Sequence, residues 1–348
     1  MRMNKRAFII GYYGSNNLGD EILLSETIKI LNPHVSMENI SALSYNVELT
    51  SRIHGISGVS RNKYYNILKA IKSSDFIVGG GGSMLQNVTS NRSLIYYLAL
   101  INAALFFNKK VILLGNGIGP INGKLQKCMA RKTLKKVSYL HLRDVDSYKW
   151  IDGSDSDKIV LGADLALNET VSVDRHKKDC VIINLRNWKH IDSVKTAIKD
   201  LIDHIEDYGY EVVLLSMQTG NDDQVLKSLG KVSSFDDLEA LKKKISSARY
   251  IIGMRLHVLI LSAVFSIPFA GLAYDPKVSV FCKAMNQPCF DDLGELNGKQ
   301  LIDAFELMKK NEELSIKTIK DQLDRIKINN LTMTDKVGKI IRGQDEKN

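Results

Sequence analysis

The sequence predicts an α/β fold with two parallel sheets, and three observations lead to this prediction. Short apolar runs rich in Val, Ile and Leu recur along the 348 residues, and many are bounded by glycine. Longer stretches with helical spacing lie between these runs, as in βαβ units whose sheet is covered on both faces. A polar stretch without periodicity at 168–179 interrupts the alternation, which then restarts. We therefore expect two Rossmann-like domains facing a cleft, followed by a helical tail.

The first predicted domain covers residues 1–167. Its apolar runs predict four strands, Ala7–Gly11, Phe76–Val78, Val111–Gly115 and Ile159–Leu161. Helical spacing over Asp20–Leu31 and Lys124–Val137 predicts two of the helices that connect them. Residues 168–179 are predicted to be an interdomain linker.

The second predicted domain covers residues 180–300. Its strands are predicted at Val181–Leu185, Glu211–Ser216, Tyr250–Ile252 and Phe269–Ala273. Its helices are predicted near Asp192–Tyr208, Phe235–Ser246 and Leu256–Phe265. Residues 301–348 are rich in Lys, Glu, Asp and Ile, which predicts a mainly helical tail.

The composition is that of a folded protein. Hydrophobic residues make up 44% of the chain and charged residues 25%, which argues against wholesale disorder. The longest mainly apolar run, Leu94–Phe107, is too short to span a bilayer and is interpreted as a buried core helix. The stretch Ala7–Ile10 is too short for the core of a signal peptide, so a cytoplasmic location is predicted. The four cysteines are scattered, which indicates reduced thiols and no metal site.

Three glycine-rich segments follow predicted strands. The first, Gly11-Tyr-Tyr-Gly-Ser-Asn-Asn-Leu-Gly-Asp-Glu21, is a weak nucleotide motif, because its glycines are too widely spaced and its carboxylates would repel phosphate. The second, Gly79-Gly-Gly-Gly-Ser83, lies where α/β proteins form their sites, and its backbone would allow a ligand to approach closely. A simple turn is the alternative interpretation. The third segment, Gly115-Asn-Gly-Ile-Gly-Pro120, also follows a predicted strand and has the same two interpretations.

Charged and titratable residues follow two strands of the second domain. A histidine such as His257 can move protons, and an arginine such as Arg255 can hold a carboxylate or a phosphate through two N–H groups. Tyr274-Asp-Pro-Lys277 follows the next strand. A histidine at a helix start is often structural, but the combination with Lys277 favours a site.

These motifs together resemble the polysaccharide pyruvyl transferase family, in particular its CsaB-type branch. The resemblance extends over about residues 7 to 285 and rests on several short motifs in the expected order. They are Gly11-Tyr-Tyr-Gly with Asn17-Leu-Gly-Asp-Glu21, Gly79-Gly-Gly-Gly-Ser83 with Val88-Thr-Ser-Asn-Arg92, Gly117-Ile-Gly-Pro120, Arg143-Asp144, Gly162-Ala-Asp164, Arg255-Leu-His257 and Tyr274-Asp-Pro-Lys277.

The resemblance implies a GT-B-like fold, with the acceptor on the N-terminal domain and the donor on the C-terminal domain. It implies phosphoenolpyruvate as donor co-substrate, a sugar acceptor that is often lipid-linked, and a pyruvate ketal as product. Neither a cofactor nor a metal is expected. His257 corresponds to the family's catalytic histidine. The residues expected to bind substrate are Arg255, Lys277, Arg143, Arg92, Gly80, Gly81, Gly82, Ser83, Asn17 and Asp20.

The chain carries 48 Lys+Arg and 39 Asp+Glu, a net charge of +9. Lys124, Lys127, Arg131 and Lys135 share one helix face, which predicts peripheral contact with anionic lipid at the inner face of the cell membrane. An ordinary solvated face is the alternative. Nucleic acid is not expected as a partner, since the positive charge is not combined with aromatic stacking motifs.

Two other functions remain open at this point. One is a GT-B glycosyltransferase that uses a nucleotide sugar. The other is a binding module that has kept the fold without catalysis, although the presence of Arg255, His257 and Lys277 argues against it.

Overall fold

The computed structural model of the chain describes residues 4–88, 90–152, 157–169, 179–189 and 191–344. The chain divides into two compact units. Unit 1 contains residues 1–15, 20–168 and 326–348, and unit 2 contains residues 16–19 and 169–325. Residues 170–178 of the predicted linker lie outside the described residues.

The sheet of unit 1 has seven described strands. They are β1 (Ala7–Tyr13), β2 (Ile40–Ser44), β3 (Ser57–Ser60), β4 (Phe76–Leu85), β5 (Lys110–Ile118), β6 (Tyr139–Leu142) and β7 (Ile159–Leu161). All of them pair in parallel, in the order β3-β2-β1-β4-β5-β6-β7. The order reverses between β1 and β4, which is the position where doubly wound sheets bind ligands.

Helices connect the strands of unit 1. They are α1 (Leu18–Leu31), α2 (Val47–His54), α3 (Tyr64–Ser73), α4 (Asn91–Phe106), α5 (Lys124–Leu134) and α6 (Val145–Ile151). Helix α4 buries Leu94, Leu98 and Ile101 in the core, which confirms the core helix predicted for the longest apolar run. None of the described helices has the length and hydrophobicity that crossing a membrane requires.

The sheet of unit 2 has six described strands. They are β8 (Cys180–Asn184), β9 (Glu211–Leu215), β10 (Val232–Ser233), β11 (Tyr250–Gly253), β12 (Phe269–Leu272) and β13 (Cys289–Phe290). They also pair in parallel, in the order β10-β9-β8-β11-β12-β13. The reversal here lies between β8 and β11. Both units are therefore doubly wound, as the alternating pattern predicts.

The helices of unit 2 lie between its strands, and two more follow the last strand. They are α7 (Ile191–Asp207), α8 (Asp222–Leu226), α9 (Leu238–Ser246), α10 (Leu256–Val264), α11 (Pro276–Ala284), α12 (Gly298–Lys310) and α13 (Glu312–Arg342). The last two confirm the predicted helical tail. Helix α13 has 31 residues, and its C-terminal part, from Ile326, is grouped with unit 1.

The second and third glycine-rich segments lie largely inside strands, so the prediction that they follow the strands is wrong, whereas Gly14 of the first segment does follow β1. Gly79–Gly82 lie inside β4 and pair with β5, and Gly115 and Gly117 lie inside β5. Glycine can pair in a sheet because the pairing uses only backbone groups. The φ angles of Gly81 and Gly82 are positive, and the register between β4 and β5 shifts after Gly82.

The four cysteines are free thiols. Cys128 is exposed, Cys180 and Cys282 are buried, and Cys289 is half-buried.

Candidate active site

The strand order of unit 2 brings functional side chains together at the ends of β8 and β11. Asn184, the last residue of β8, accepts a hydrogen bond from the Arg255 N–H (3.0 Å) through its Oδ1. Its Nδ2 donates to the carbonyl of Leu215 at the end of β9 (2.9 Å). This buried amide joins the carboxyl ends of three neighbouring strands and fixes the start of helix α10.

Arg255 is held by a buried carboxylate that the sequence motifs do not reveal. Its Nη2 donates to Asp222 Oδ1 (2.5 Å) and to Gln218 Oε1 (2.8 Å), and its Nε lies 3.2 Å from both Asp222 oxygens. Asp222 is completely buried, and its Oδ2 also accepts from the backbone N–H groups of Met217 and Gln218. The guanidinium is therefore oriented and its charge is compensated before any ligand binds.

His257 lies in the first turn of α10 and packs against the backbone of Gly19. A Cβ atom on Gly19 would lie 2.2 Å from His257 Nδ1, so only glycine fits there. The segment that contains Gly19 belongs to unit 2. The Leu18 N–H donates to the Met217 carbonyl (2.9 Å), and Asn17 forms a bridge with Gln218. The predicted residues Asn17 and His257 are thus brought to the same part of unit 2.

Arg186 is a cation of this site that the sequence analysis missed. It follows β8, and its backbone N–H donates to the sulfur of Met254 (3.4 Å), next to Arg255. Its Cζ lies 4.4 Å from the centroid of the Tyr274 ring and 5.6 Å from that of Trp188. Its Nε is buried, and no described residue accepts a hydrogen bond from it. Such a donor is suited to an anionic ligand.

Lys277 contacts the same tyrosine. Its Nζ lies 5.6 Å from the centroid of Tyr274 and 3.4 Å from Asp275 Oδ2. Asp275 caps helix α11, because its side chain accepts from the Lys277 N–H (3.1 Å). Arg186 and Lys277 are thereby brought to one aromatic ring from the ends of two different strands.

In unit 1, the structure joins two other predicted residues, Arg143 and Ser83. Arg143 Nη2 donates to Ser83 Oγ (2.8 Å), and Nη1 donates to Asp164 Oδ2 (3.1 Å). The guanidinium packs on Gly117, where a Cβ would lie 2.9 Å from its Nε. Arg143 is therefore positioned by a carboxylate, in the same way as Arg255.

The glycines beside Ser83 are buried, and each has a physical reason to lack a side chain. A Cβ on Gly80 would lie 2.5 Å from the Tyr13 hydroxyl and 2.4 Å from Thr27 Oγ1. Gly81 and Gly82 both have φ of +81°, the left-handed region that favours glycine. Close packing and turn geometry thus account for much of the glycine run.

The remaining predicted residues are spread over unit 1. Asp20 lies in the first turn of α1, where its charge suits the helix dipole. Arg92 is exposed at the start of α4, where its N–H donates to the N-cap Ser90. The neighbouring Glu21 is fully buried and bonds His54 Nε2 (2.8 Å) and the Gly14 N–H (2.8 Å). This shows a structural role for part of the first motif.

A second buried histidine, His141, lies in unit 1. Its Nδ1 accepts from the Gly115 N–H (3.1 Å), and its ring packs on Gly162. Burial lowers the pKa of His141 to about 4, because the charged imidazolium would lose its hydration. It is neutral at pH 7 and supports the glycine-rich strand β5.

The arrangement in unit 2 supports acid–base chemistry on an anionic ligand. His257 supplies a group that can exchange protons, and Arg186 supplies positive charge. The ion-paired Arg255 and Lys277 supply further N–H donors from two other strand ends. Among the described residues, no group of three or more His, Cys, Asp or Glu side chains could hold a metal ion.

Solved structures with a similar fold include, according to their names, a complex with UDP, a complex with UDP-glucose and a rhamnosyltransferase. The chain aligns with Staphylococcus aureus MnaA in complex with UDP at a TM-score of 0.63 and 12% identity, covering 90% of each chain. Anabaena HepE in complex with UDP-glucose aligns at a TM-score of 0.58 and 9% identity, covering 97% of this chain and all of that one. The spinosyn rhamnosyltransferase SpnG aligns at 0.56 and 10%, covering 93% and 96%. The fold is therefore the GT-B-like fold, as expected.

Sequence similarity narrows this fold class to one family. Residues 17–276 match the polysaccharide pyruvyl transferase family, and the chain belongs to it. The amylovoran biosynthesis protein AmsJ of Erwinia amylovora is 24% identical over 258 residues, which cover 63% of this chain and 61% of AmsJ. The family predicted from the motifs is thus confirmed.

Proposed function

We propose that this protein transfers the enolpyruvyl group of phosphoenolpyruvate to a sugar of a polysaccharide precursor and closes a pyruvate ketal. Membership of the polysaccharide pyruvyl transferase family carries the proposal. The cations at the strand ends of unit 2 support it, because the donor is strongly anionic.

Phosphoenolpyruvate has a carboxylate and a phosphate and carries about three negative charges at neutral pH. Two cations contact Tyr274 and can bind these negative charges. They are Arg186, whose buried Nε has no acceptor among the described residues, and Lys277. Arg255 adds a guanidinium whose orientation Asp222 fixes. We assign these three residues to the donor.

The reaction needs only one protein group that exchanges protons. The enol carbon C3 takes a proton from His257 while a sugar hydroxyl adds to C2 and gives up its own proton. The C2–O bond to phosphate then breaks, and the electron pair leaves with the phosphate. A second hydroxyl of the sugar adds to C2 and releases a proton, which gives the ketal and inorganic phosphate. His257 serves as the acid and is reprotonated by one of the two hydroxyl protons, and the leaving phosphate takes the other.

The residues predicted in unit 1 are assigned to substrate binding as well. Arg143 presents a guanidinium positioned by Asp164 and Ser83, and Arg92 is exposed to solvent. The backbone of Gly80, Gly81 and Gly82 and the side chain of Asp20 complete the proposed set in unit 1, and Asn17 is assigned to substrate binding in unit 2.

A glycosyltransferase that uses a nucleotide sugar is the second candidate, since solved proteins of this fold carry UDP or UDP-glucose. A thermal-shift screen of the purified protein with phosphoenolpyruvate and with UDP-sugars separates the two. Stabilisation by phosphoenolpyruvate, and phosphate release when a lipid-linked oligosaccharide is added, is the result expected. Stabilisation by UDP-sugars alone would replace the proposal with the second candidate.

Substitution of Arg186 or Lys277 by Ala is expected to weaken phosphoenolpyruvate binding by about tenfold or more each, since each loses a charged hydrogen bond to the donor. Titration calorimetry with the donor alone measures this effect. Lys299→Ala, which removes an exposed cation of the same unit, is the control and should bind as the wild type does. Unchanged donor affinity in both variants would move the donor site to Arg92 and Arg143.

We further propose that the acceptor is lipid-linked and that the protein works at the inner face of the cell membrane. Helix α5 supports this. It exposes Lys124, Lys127, Arg131, Lys132 and Lys135 along one shallow groove. Leu125 and Met129 are exposed beside them, at 75% and 48%. Cations next to exposed apolar side chains suit an anionic lipid surface.

Replacement of Lys124, Lys127, Arg131 and Lys135 by Gln should reduce binding to vesicles that contain anionic lipid. Each basic residue near such a surface contributes about 1 kcal/mol, so the loss should be large at low salt and shrink as salt rises. Vesicle sedimentation measures it. The control replaces four exposed lysines of unit 2 by Gln, Lys199, Lys283, Lys299 and Lys310. Vesicle binding that survives the α5 change would show that this face is merely solvated.

A further inference from the structure

A cluster of tyrosines around one arginine lies at the carboxyl ends of the strands of unit 1. None of its residues has been assigned to the proposed site. Tyr12 is the next-to-last residue of β1, Tyr45 follows β2, and Arg61 follows β3. Tyr96 joins them from α4. We call these four residues the Tyr–Arg cluster. Because parallel strands end at the same edge, the topology places the cluster where α/β proteins bind ligands.

Arg61 is stacked within the cluster. Its Cζ lies 3.9 Å from the centroid of Tyr45, 4.9 Å from that of Tyr96 and 6.0 Å from that of Tyr12. Tyr12 and Tyr45 meet edge to face, with centroids 4.8 Å apart. The Arg61 N–H donates to the Ser44 carbonyl (3.0 Å), which fixes the residue to the end of β2. The cluster is therefore preformed.

The cluster carries the positive charge of Arg61. Among the described residues, no carboxylate lies within ion-pair distance of Arg61, in contrast to Arg143 and Arg255. Burial and a hydrogen bond with Tyr12 raise the pKa of Tyr45 above its usual range, and burial raises that of Tyr96. The hydroxyls stay neutral, so the edge of the guanidinium remains suited to an anion.

The aromatic rings remain accessible. Tyr12 is 42% exposed and Tyr45 is 43% exposed, although rings of this size are mainly buried when packing is their only role. Exposed tyrosine rings offer an apolar face and a polar hydroxyl to a ligand that has both characters, such as a sugar ring.

We propose that the Tyr–Arg cluster binds a glycosyl phosphate, with the sugar ring against Tyr12 and Tyr45 and the phosphate on Arg61. Under the proposed function this ligand is the acceptor, and its role as acceptor rests on that proposal. The binding itself requires neither the donor nor catalysis. The cluster would recognise the phosphate-linked end of a polysaccharide precursor and distinguish it from a free sugar.

Titration calorimetry without donor tests the proposal with two probes, geranyl-diphosphate-linked N-acetylglucosamine and methyl N-acetylglucosaminide. Arg61→Gln should lower the affinity for the diphosphate probe about tenfold, since that probe carries the anion. The affinity for the methyl glycoside should stay unchanged. Tyr12→Ala should weaken both probes several-fold. Arg61→Lys, which keeps the charge, should retain part of the affinity for the diphosphate probe.

Matched controls come from cation–aromatic pairs elsewhere in the chain. Lys72 lies over Phe107 (4.8 Å), and Lys309 lies over the exposed Tyr208 (3.2 Å). Lys72→Gln and Tyr208→Ala should bind both probes as the wild type does. The proposal is overturned if the wild type binds neither probe at millimolar concentration, or if the cluster variants, folded by thermal melting, bind both normally. Probe binding that persists when phosphoenolpyruvate neither binds nor reacts would refute the proposed function alone.

Discussion

Replacement of His257 by Ala is expected to lower kcat by about 10²–10⁴-fold, the usual cost of losing a general acid or base. The donor should still bind, because Arg186, Arg255 and Lys277 remain in place. The fold should also persist, since the half-buried ring packs on the backbone of Gly19 and truncation leaves that backbone intact. Phosphate release under saturating substrates measures the change.

His204→Ala is the matched control for this experiment. His204 lies on α7 of the same unit and bonds Glu306 Oε1 (2.9 Å) at a partly exposed position. Its loss should leave turnover unchanged. A folded His257→Ala protein that keeps more than about half of the wild-type kcat would remove His257 from the mechanism.

Replacement of Asp222 by Ala is expected to destabilise the protein by about 3–5 kcal/mol, since it leaves the Arg255 guanidinium buried without its counter-charge. The N–H groups of Met217 and Gln218 lose their acceptor at the same time. Urea unfolding measures the loss. The same variant should bind phosphoenolpyruvate more weakly, because Arg255 is no longer held in one orientation.

The adjacent carboxylate provides the control. Asp223 accepts from the exposed Gly220 N–H (3.2 Å) and pairs with no described cation. Asp223→Ala should therefore lower the free energy of unfolding much less than Asp222→Ala does. Equal losses of stability in the two variants would show that the Arg255–Asp222 ion pair does not contribute more to stability than Asp223 does. Asp222→Asn, which keeps the shape and removes the charge, should fall between them.

Much of the fold could be predicted from the sequence because many strands are continuous apolar runs. Ile159–Leu161 is observed with its predicted bounds, and Glu211–Leu215 differs from its prediction by one residue. The apolar runs do not predict the strands Ile40–Ser44 and Ser57–Ser60, since serine and glycine interrupt their apolar pattern. The sequence places the glycines after the strand Phe76–Val78, whereas pairing with β5 extends β4 through them.

The candidate site could be predicted only where its residues lie close in the chain. Arg255 and His257 share one motif after an apolar strand, and Lys277 stands in the next motif. Asp222 is 33 residues away from Arg255 in a segment without a motif, and only the sheet order brings the two together. Arg186 had a signal that was overlooked, since it follows the apolar run Cys180–Asn184 just as Arg255 follows Tyr250–Gly253.

The pair of Arg255 and Asp222 also has a consequence for the thermodynamics of ligand binding. A free arginine side chain has about 2 kcal/mol of rotamer entropy, most of which is lost when it is immobilised against a ligand. Here the folded protein already holds the guanidinium through Asp222 and Gln218. The entropy is therefore lost when the protein folds and not when the ligand binds. Under the proposed function, the donor would meet a rigid guanidinium and keep more of the enthalpy of its own hydrogen bonds as affinity.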